Sequence, residues 1–250
     1  MRTIELSCDL GEAADARGLR IEEEIWNGIA AANVACGGHA GDAASMREAA
    51  SRAARLGVVL GAHPSYPDRE GFGRRRMEIS PAALRESLIA QIGALRSAAS
   101  GAGARVTRVK PHGALYNEAF ADEALAATVV DAIVALGDEI AIVAQPGSML
   151  LAAARRGMRT IREAFADRAY ALDGSLVPRG RAGALLTDFG DAAAQALRLA
   201  REGTVLTGAR AVAVEFDTLC IHGDMEGAVG RLAAIRGVLT QEGFTLGTRR

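Results

Sequence analysis

Residues 106–117 read Val-Thr-Arg-Val-Lys-Pro-His-Gly-Ala-Leu-Tyr-Asn. The run 106–110 is a strand candidate, and it stops on a histidine beside glycine and proline. The same ending recurs along the chain. Residues 31–36 run into Gly-Gly-His39-Ala-Gly-Asp42, residues 58–62 into His63-Pro, and residues 218–221 into His222-Gly-Asp224. Residues 4–8 end in the same way on carboxylates, Asp9 and Glu12. The chain has 4 histidines, and each one follows a predicted strand. In parallel α/β folds the carboxyl ends of the strands are where ligands bind, and in a closed barrel they form one mouth.

Between these strands lie stretches with helical spacing of apolar residues, at 21–30, 43–56, 82–99, 122–136, 148–156, 191–201 and 227–241. Ser80 and Pro81 mark the start of the third, as cap and first helical residue. Further strands are expected at 140–144 and 159–164, and 211–214 could lead into the seventh strand at 218–221. Strand–helix alternation over a whole chain predicts a parallel α/β sheet, open or closed. With no linker or repeat to divide it, residues 1–250 are expected to form one domain. Two irregular segments, 63–77 and 166–188, carry too many specific side chains for plain connections.

Half of the residues are apolar but only 4% are aromatic, so the core must be built from Ala, Val, Leu and Ile. A net charge of −1 gives no electrostatic reason to expect nucleic acid or an anionic membrane as partner. No apolar run approaches the roughly 20 residues of a membrane helix, and the first residues have no signal-peptide pattern. Three cysteines without CxxC spacing suggest reduced thiols, so a cytoplasmic location is the expectation.

Side-chain parity sharpens the site. Glu5, Ser7 and Asp9 share one strand face, and Ile4, Leu6 and Cys8 share the other. The apolar set should meet the helices, which turns Asp9 into the mouth. Lys110 and His112 share a face, as do Cys220 and His222. Lys110 is the only lysine among 29 lysine and arginine residues, which suggests a need for a compact ammonium or a titratable amine. Cys8, Cys36 and Cys220 end neighbouring strands if seven strands close. A thiol role is conceivable there, although small apolar filling suits Cys8 better.

Walker, dinucleotide-binding and nucleophile-elbow motifs are missing. What remains is carboxylate, imidazole and amine, a set suited to acid–base hydrolysis with or without a divalent metal. Asp9, His39, His63, Lys110, His112 and His222 are the candidate catalytic residues. Asp9, His63 and His112 could form a one-carboxylate, two-histidine metal site. Arg74, Arg75 and Arg76 are either a solvated run or holders of a carboxylate or phosphate, and Arg168 and Arg179 have the same two readings.

Taken together, Cys-Asp-Leu-Gly-Glu (8–12), Ala-Asn-Val-Ala-Cys-Gly (32–37), His-Ala-Gly-Asp (39–42), residues 61–75, Val-Lys-Pro-His-Gly-Ala-Leu-Tyr-Asn (109–117), residues 163–170 and Cys-Ile-His-Gly-Asp (220–224) resemble the LamB/YcsF family. The resemblance implies a (β/α) barrel of the glycoside hydrolase/deacetylase type, commonly seven-stranded. It also implies ATP-dependent opening of 5-oxo-L-proline to L-glutamate together with 5-oxoprolinase subunits B and C, with ATP bound by or shared with those partners. Within the matching blocks Glu12, Asn33, Asp42, Tyr116 and Asp224 join Arg74, Arg75 and Arg168 as candidate substrate contacts. Ser7 stands where the family usually has asparagine, Gly38 where it often has an aromatic, and Ala43 where proline is common. Ser7 puts a polar contact at the mouth in doubt, and Gly38 suggests a roomier second loop. The alternatives are a metal-dependent deacetylase or amidohydrolase, and a non-catalytic protein that binds ligand for its partners. Either is compatible with a homo-oligomer.

Overall fold

A computed structural model describes residues 2–137 and 139–248. Its strands are β1 (Thr3–Leu10), β2 (Ala31–Ala35), β3 (Val59–His63), β4 (Val106–Val109), β5 (Ala141–Ala144), β6 (Thr160–Phe165), β7 (Thr204–Thr207), β8 (Arg210–Ala213), β9 (Thr218–His222) and β10 (Thr245–Leu246). Strands β1 to β6 pair in sequence order, β6 pairs β9, and β9 pairs β1, all parallel. The sheet is therefore a closed ring of seven strands, as expected. The short β10 adds to β1 through Thr3 and Ile4, outside the ring.

The helices are α1 (Ala16–Trp26), α2 (Ala43–Leu56), α3 (Pro81–Gly101), α4 (Gly113–Glu118), α5 (Glu123–Val134), α6 (Ser148–Arg155), α7 (Phe189–Glu202) and α8 (Ala228–Gln241). Among the described residues no helix is long and apolar enough to cross a membrane. Helix α1 starts earlier than the periodicity suggests, because Asp15 caps it by accepting from the Gly18 amide. Residues 211–214 do not lead into the seventh strand. Residues 210–213 instead form the second arm of an antiparallel hairpin with β7, turned at Gly208-Ala209, and Gly208 has φ 60°.

Parity divides the barrel into two chemistries. Ile4, Leu6, Cys8 and Leu10 of β1 belong to the buried apolar core, which also takes in helix residues such as Leu84, Leu88, Ile92 and Ile133. The inner face is polar. Glu5, Ser7, Asp9, Asn33, Arg108, Lys110, Glu163 and Thr218 are all buried. At the lower level Arg108 donates to both oxygens of Glu5 across the ring. Gly61 makes room for this pair, since a Cβ there would come 2.8 Å from Arg108 Cγ. Ser7 is buried, accepts from Thr218 Oγ1 at 3.1 Å and does not line the cavity, so it is not a contact at the mouth.

Gly38 does not loosen the second loop. A Cβ there would stand 2.3 Å from Gln91 Oε1 and 2.4 Å from Ser65 Oγ. The buried Gln91 fills that space, accepting from the Ser65 amide and donating to the Ser65 carbonyl. Asp42 is not a substrate contact. It caps α2, accepting from the Ala44 and Ser45 amides in a capping box. Asp42→Ala is expected to lower the melting temperature by a few degrees and to leave substrate KM unchanged, which thermal melts and steady-state kinetics would check.

Candidate active site

The mouth of the barrel opens into a cavity of about 660 Å³. Asp9, Glu12, His63, Lys110, His112 and His222 line it, with Arg74, Arg168, Arg179 and Asp224 also on its wall. Five of the six catalytic candidates read from the sequence therefore lie on the cavity. His39 is the exception. It is buried behind the wall, its ring stacked on His112 at 3.7 Å, with Nε2 2.9 Å from Glu12 Oε1.

Lys110 is the hub. Its ammonium donates to both oxygens of Asp9 at 2.9 Å, lies 2.9 Å from Glu163 Oε1 and donates to Cys220 Sγ at 3.2 Å. Burial works against its charge, but the Asp9 and Glu163 carboxylates outweigh it and hold the amine well above its ordinary pKa. The two carboxylates around the ammonium favour a fixed cation over a titrating amine. Burial alone would raise Asp9. His63 and Lys110 overcome it and keep this carboxyl well below the usual range. Asn33 reaches the site through Asp9, donating to Oδ1 at 2.9 Å. Burial pushes all three cysteines up, Cys36 to about 12, and none of them lines the cavity.

Backbone carbonyls set the histidine tautomers, because a carbonyl can only accept. His63 Nδ1 donates to the Lys110 carbonyl at 2.7 Å, and His112 Nε2 donates to the Phe72 carbonyl at 2.9 Å. The other two nitrogens, His63 Nε2 and His112 Nδ1, face each other at 3.0 Å. Glu12 Oε1 stands 3.9 Å from the first and 3.4 Å from the second. Burial raises the Glu12 carboxyl to about 7 and lowers His39 to about 2.

His222 is built differently. Asp167, fully buried, accepts from its backbone amide and from Nδ1, each at 2.8 Å. The ring packs on Phe165 with centroids 5.5 Å apart. Among the described residues no hydrogen bond takes Nε2, and the side chain lines the cavity.

The remaining sequence candidates sort cleanly. Tyr116 lines the cavity and donates to Glu163 Oε2 at 2.8 Å, while its hydroxyl accepts from the Gln145 amide. Asp224 bridges the Arg74 and Arg179 guanidinium groups at the rim. Arg168 lines the cavity, but its donors are given to the Val177 and Ala184 carbonyls, so it staples the irregular loop. Arg75 is off the cavity. It is exposed and paired with Asp68, which holds it away from the mouth. Glu163 and Asp167 were missed. Glu163 had a signal, a lone carboxylate on the inner parity of an otherwise apolar strand end. Asp167 had none, because it lies past the strand where parity lapses.

The LamB/YcsF family model matches residues 4–249. A Chloroflexus aggregans protein named as the A subunit of 5-oxoprolinase is 44% identical, covering 100% of both chains. A Bordetella pertussis protein of the same name is 42% identical over 97% of each chain. The crystal structure of a lactam utilization protein from Thermus thermophilus superposes with a TM-score of 0.90 at 38% identity, over 100% of both chains.

Proposed function

Because the chain belongs to the LamB/YcsF family over nearly its whole length, we propose that it is the A subunit of an ATP-dependent 5-oxoprolinase, a hydrolase that opens the lactam of 5-oxo-L-proline to L-glutamate. The observation that carries this reading is the cavity itself, which holds a carboxylate-backed histidine, a buried fixed cation and rim arginines around one space. A lactam is a stabilised amide, and opening it needs a driving reaction. Phosphorylation of the amide oxygen by ATP makes the ring carbon electrophilic. Water then adds to that carbon, the C–N bond breaks, the nitrogen takes up a proton, and the phosphate leaves by hydrolysis.

This chain's residues suit the hydrolytic half. His222, oriented by Asp167, presents Nε2 to the cavity and gives the proton to the departing nitrogen. Arg74 and Arg179 set positive charge at the rim, suited to the substrate carboxylate or a phosphoryl group. Lys110 keeps Asp9 ionised and fixes the field that the developing oxyanion meets. On this reading ATP belongs to subunits B and C, alone or shared with this chain, whose sequence has no Walker loop.

The test is reconstitution. Glutamate and ADP should form together from 5-oxo-L-proline only when this chain and subunits B and C are combined. Robust ATP turnover by this chain alone, or full activity without it, would sink the division of labour.

A further inference from the structure

Two histidine lone pairs facing each other in a buried wall repel unless a proton or a metal ion stands between them. With Nδ1 of His63 and Nε2 of His112 committed to backbone carbonyls, His63 Nε2 and His112 Nδ1 have no hydrogen to share when both rings are neutral. They nevertheless stand 3.0 Å apart, with Glu12 Oε1 3.4 Å from the second. Ligand atoms about 2.0–2.2 Å from one ion stand about 3–4 Å apart, depending on the angle at the ion, and the three pairs here are 3.0, 3.4 and 3.9 Å apart. The ligating atoms of Glu12, His39, His63 and His112 all lie within 4.8 Å of one another.

We propose that Glu12, His63 and His112 bind one divalent transition-metal ion at the cavity wall. The donor set is one carboxylate and two imidazoles, each ring oriented by a carbonyl on its far nitrogen, as metal-binding histidines require. All three residues line the cavity, so the ion keeps open positions toward it. Asp9 Oδ2 also lies 3.3 Å from His63 Nε2, but Lys110 donates to both Asp9 oxygens and Asn33 to one, so Glu12, which meets no ammonium, is the carboxylate assigned to the ion. His39 is not a ligand either. Its ring lies within 4° of parallel to His112, so the two cannot aim at one ion, and it donates instead to Glu12 Oε1. His39 is a positioning residue for the carboxylate. The ion would supply Lewis acidity and a more acidic bound water. That role rests on the lactam reading above, whereas binding rests on the donor geometry alone.

The experiment strips the full chain with chelator and titrates it with Zn²⁺ and Co²⁺ by calorimetry and visible absorption. One ion per chain is expected at micromolar or lower concentration. Glu12→Gln and His112→Ala should weaken binding by more than the roughly 10- to 100-fold that loss of an outer partner costs, and His39→Ala by about that amount. Stripped variants should melt with the stripped parent and lose only the metal-induced rise, which separates lost ligation from lost fold. Absence of saturable binding, or one-to-one binding that survives both Glu12→Gln and His112→Ala, would overturn the site. If the ion binds but the stripped chain still supports lactam opening with subunits B and C, the site stands and only its part in the reaction falls.

Discussion

Lys110→Met is expected to abolish lactam opening and to cost about 3–5 kcal/mol of stability, because removing one partner of a buried ion pair strands the others. The side chain is only 3% exposed and is enclosed by Asp9 and Glu163, which are also buried. With the ammonium gone, two buried carboxylates lose the cation they share. Activity should fall at least about a hundredfold, the scale on which a fixed electrostatic group is lost from an active site. Lys110→Arg should fail as well. A planar fork with five donors does not fit a slot whose acceptors are placed for a compact three-proton head. Chemical denaturation and reconstituted kinetics read the two effects separately. Adding Asp9→Asn and Glu163→Gln to Lys110→Met should restore stability but not turnover. A stable, active single variant would mean that Lys110 only fills space.

Asp167→Asn is expected to leave the fold intact and to lower kcat by about 10²- to 10⁴-fold, the range for loss of a positioned acid–base group. The asparagine oxygen can still accept from the His222 amide, so the backbone contact survives. Its amide nitrogen then faces His222 Nδ1 and donates to it, reversing the tautomer and removing the anion behind the imidazolium. KM should move little, because Asp167 lies behind His222 and does not line the cavity. A kcat within a few-fold of the parent would remove His222 from the chemistry.

How far the sequence could be read follows from the range of the forces involved. The seven ring strands were legible because short apolar runs alternate with helical spacing, and most of them end on glycine, proline or histidine. Helix α2 has the bounds that its helical spacing of apolar residues predicts, 43–56, and the structure adds the caps, Asp42 and Gly57. The β7–β8 hairpin was half seen, because two four-residue strands with one buried residue between them, Val205, leave almost no pattern. In the site, parity turned Asp9, Lys110 and His112 inward correctly. It said nothing of who meets whom across the ring. That Lys110 takes Asp9 and Glu163, and that Glu12 joins the histidines while Asp9 does not, depends on contacts between strands far apart in the chain. Arg75 and Asp42 look like site residues in sequence, but their partners, Asp68 and the α2 amides, lie nearby in the chain and claim them first.

The ring has one further consequence, for the order in which the protein can be made. Strand β1 is paired by β2 on one side and by β9 on the other. Ser7 and Thr218, joined by a hydrogen bond, are 211 positions apart. During synthesis the charged inner face of β1 therefore waits, with one edge open, until nearly the whole chain has left the ribosome. Such long-range closure is slow, and open strand edges invite wrong pairing. The nascent chain should thus depend on being shielded until residues 218–222 emerge and close the ring, and Asp9 meets His222 across that last seam.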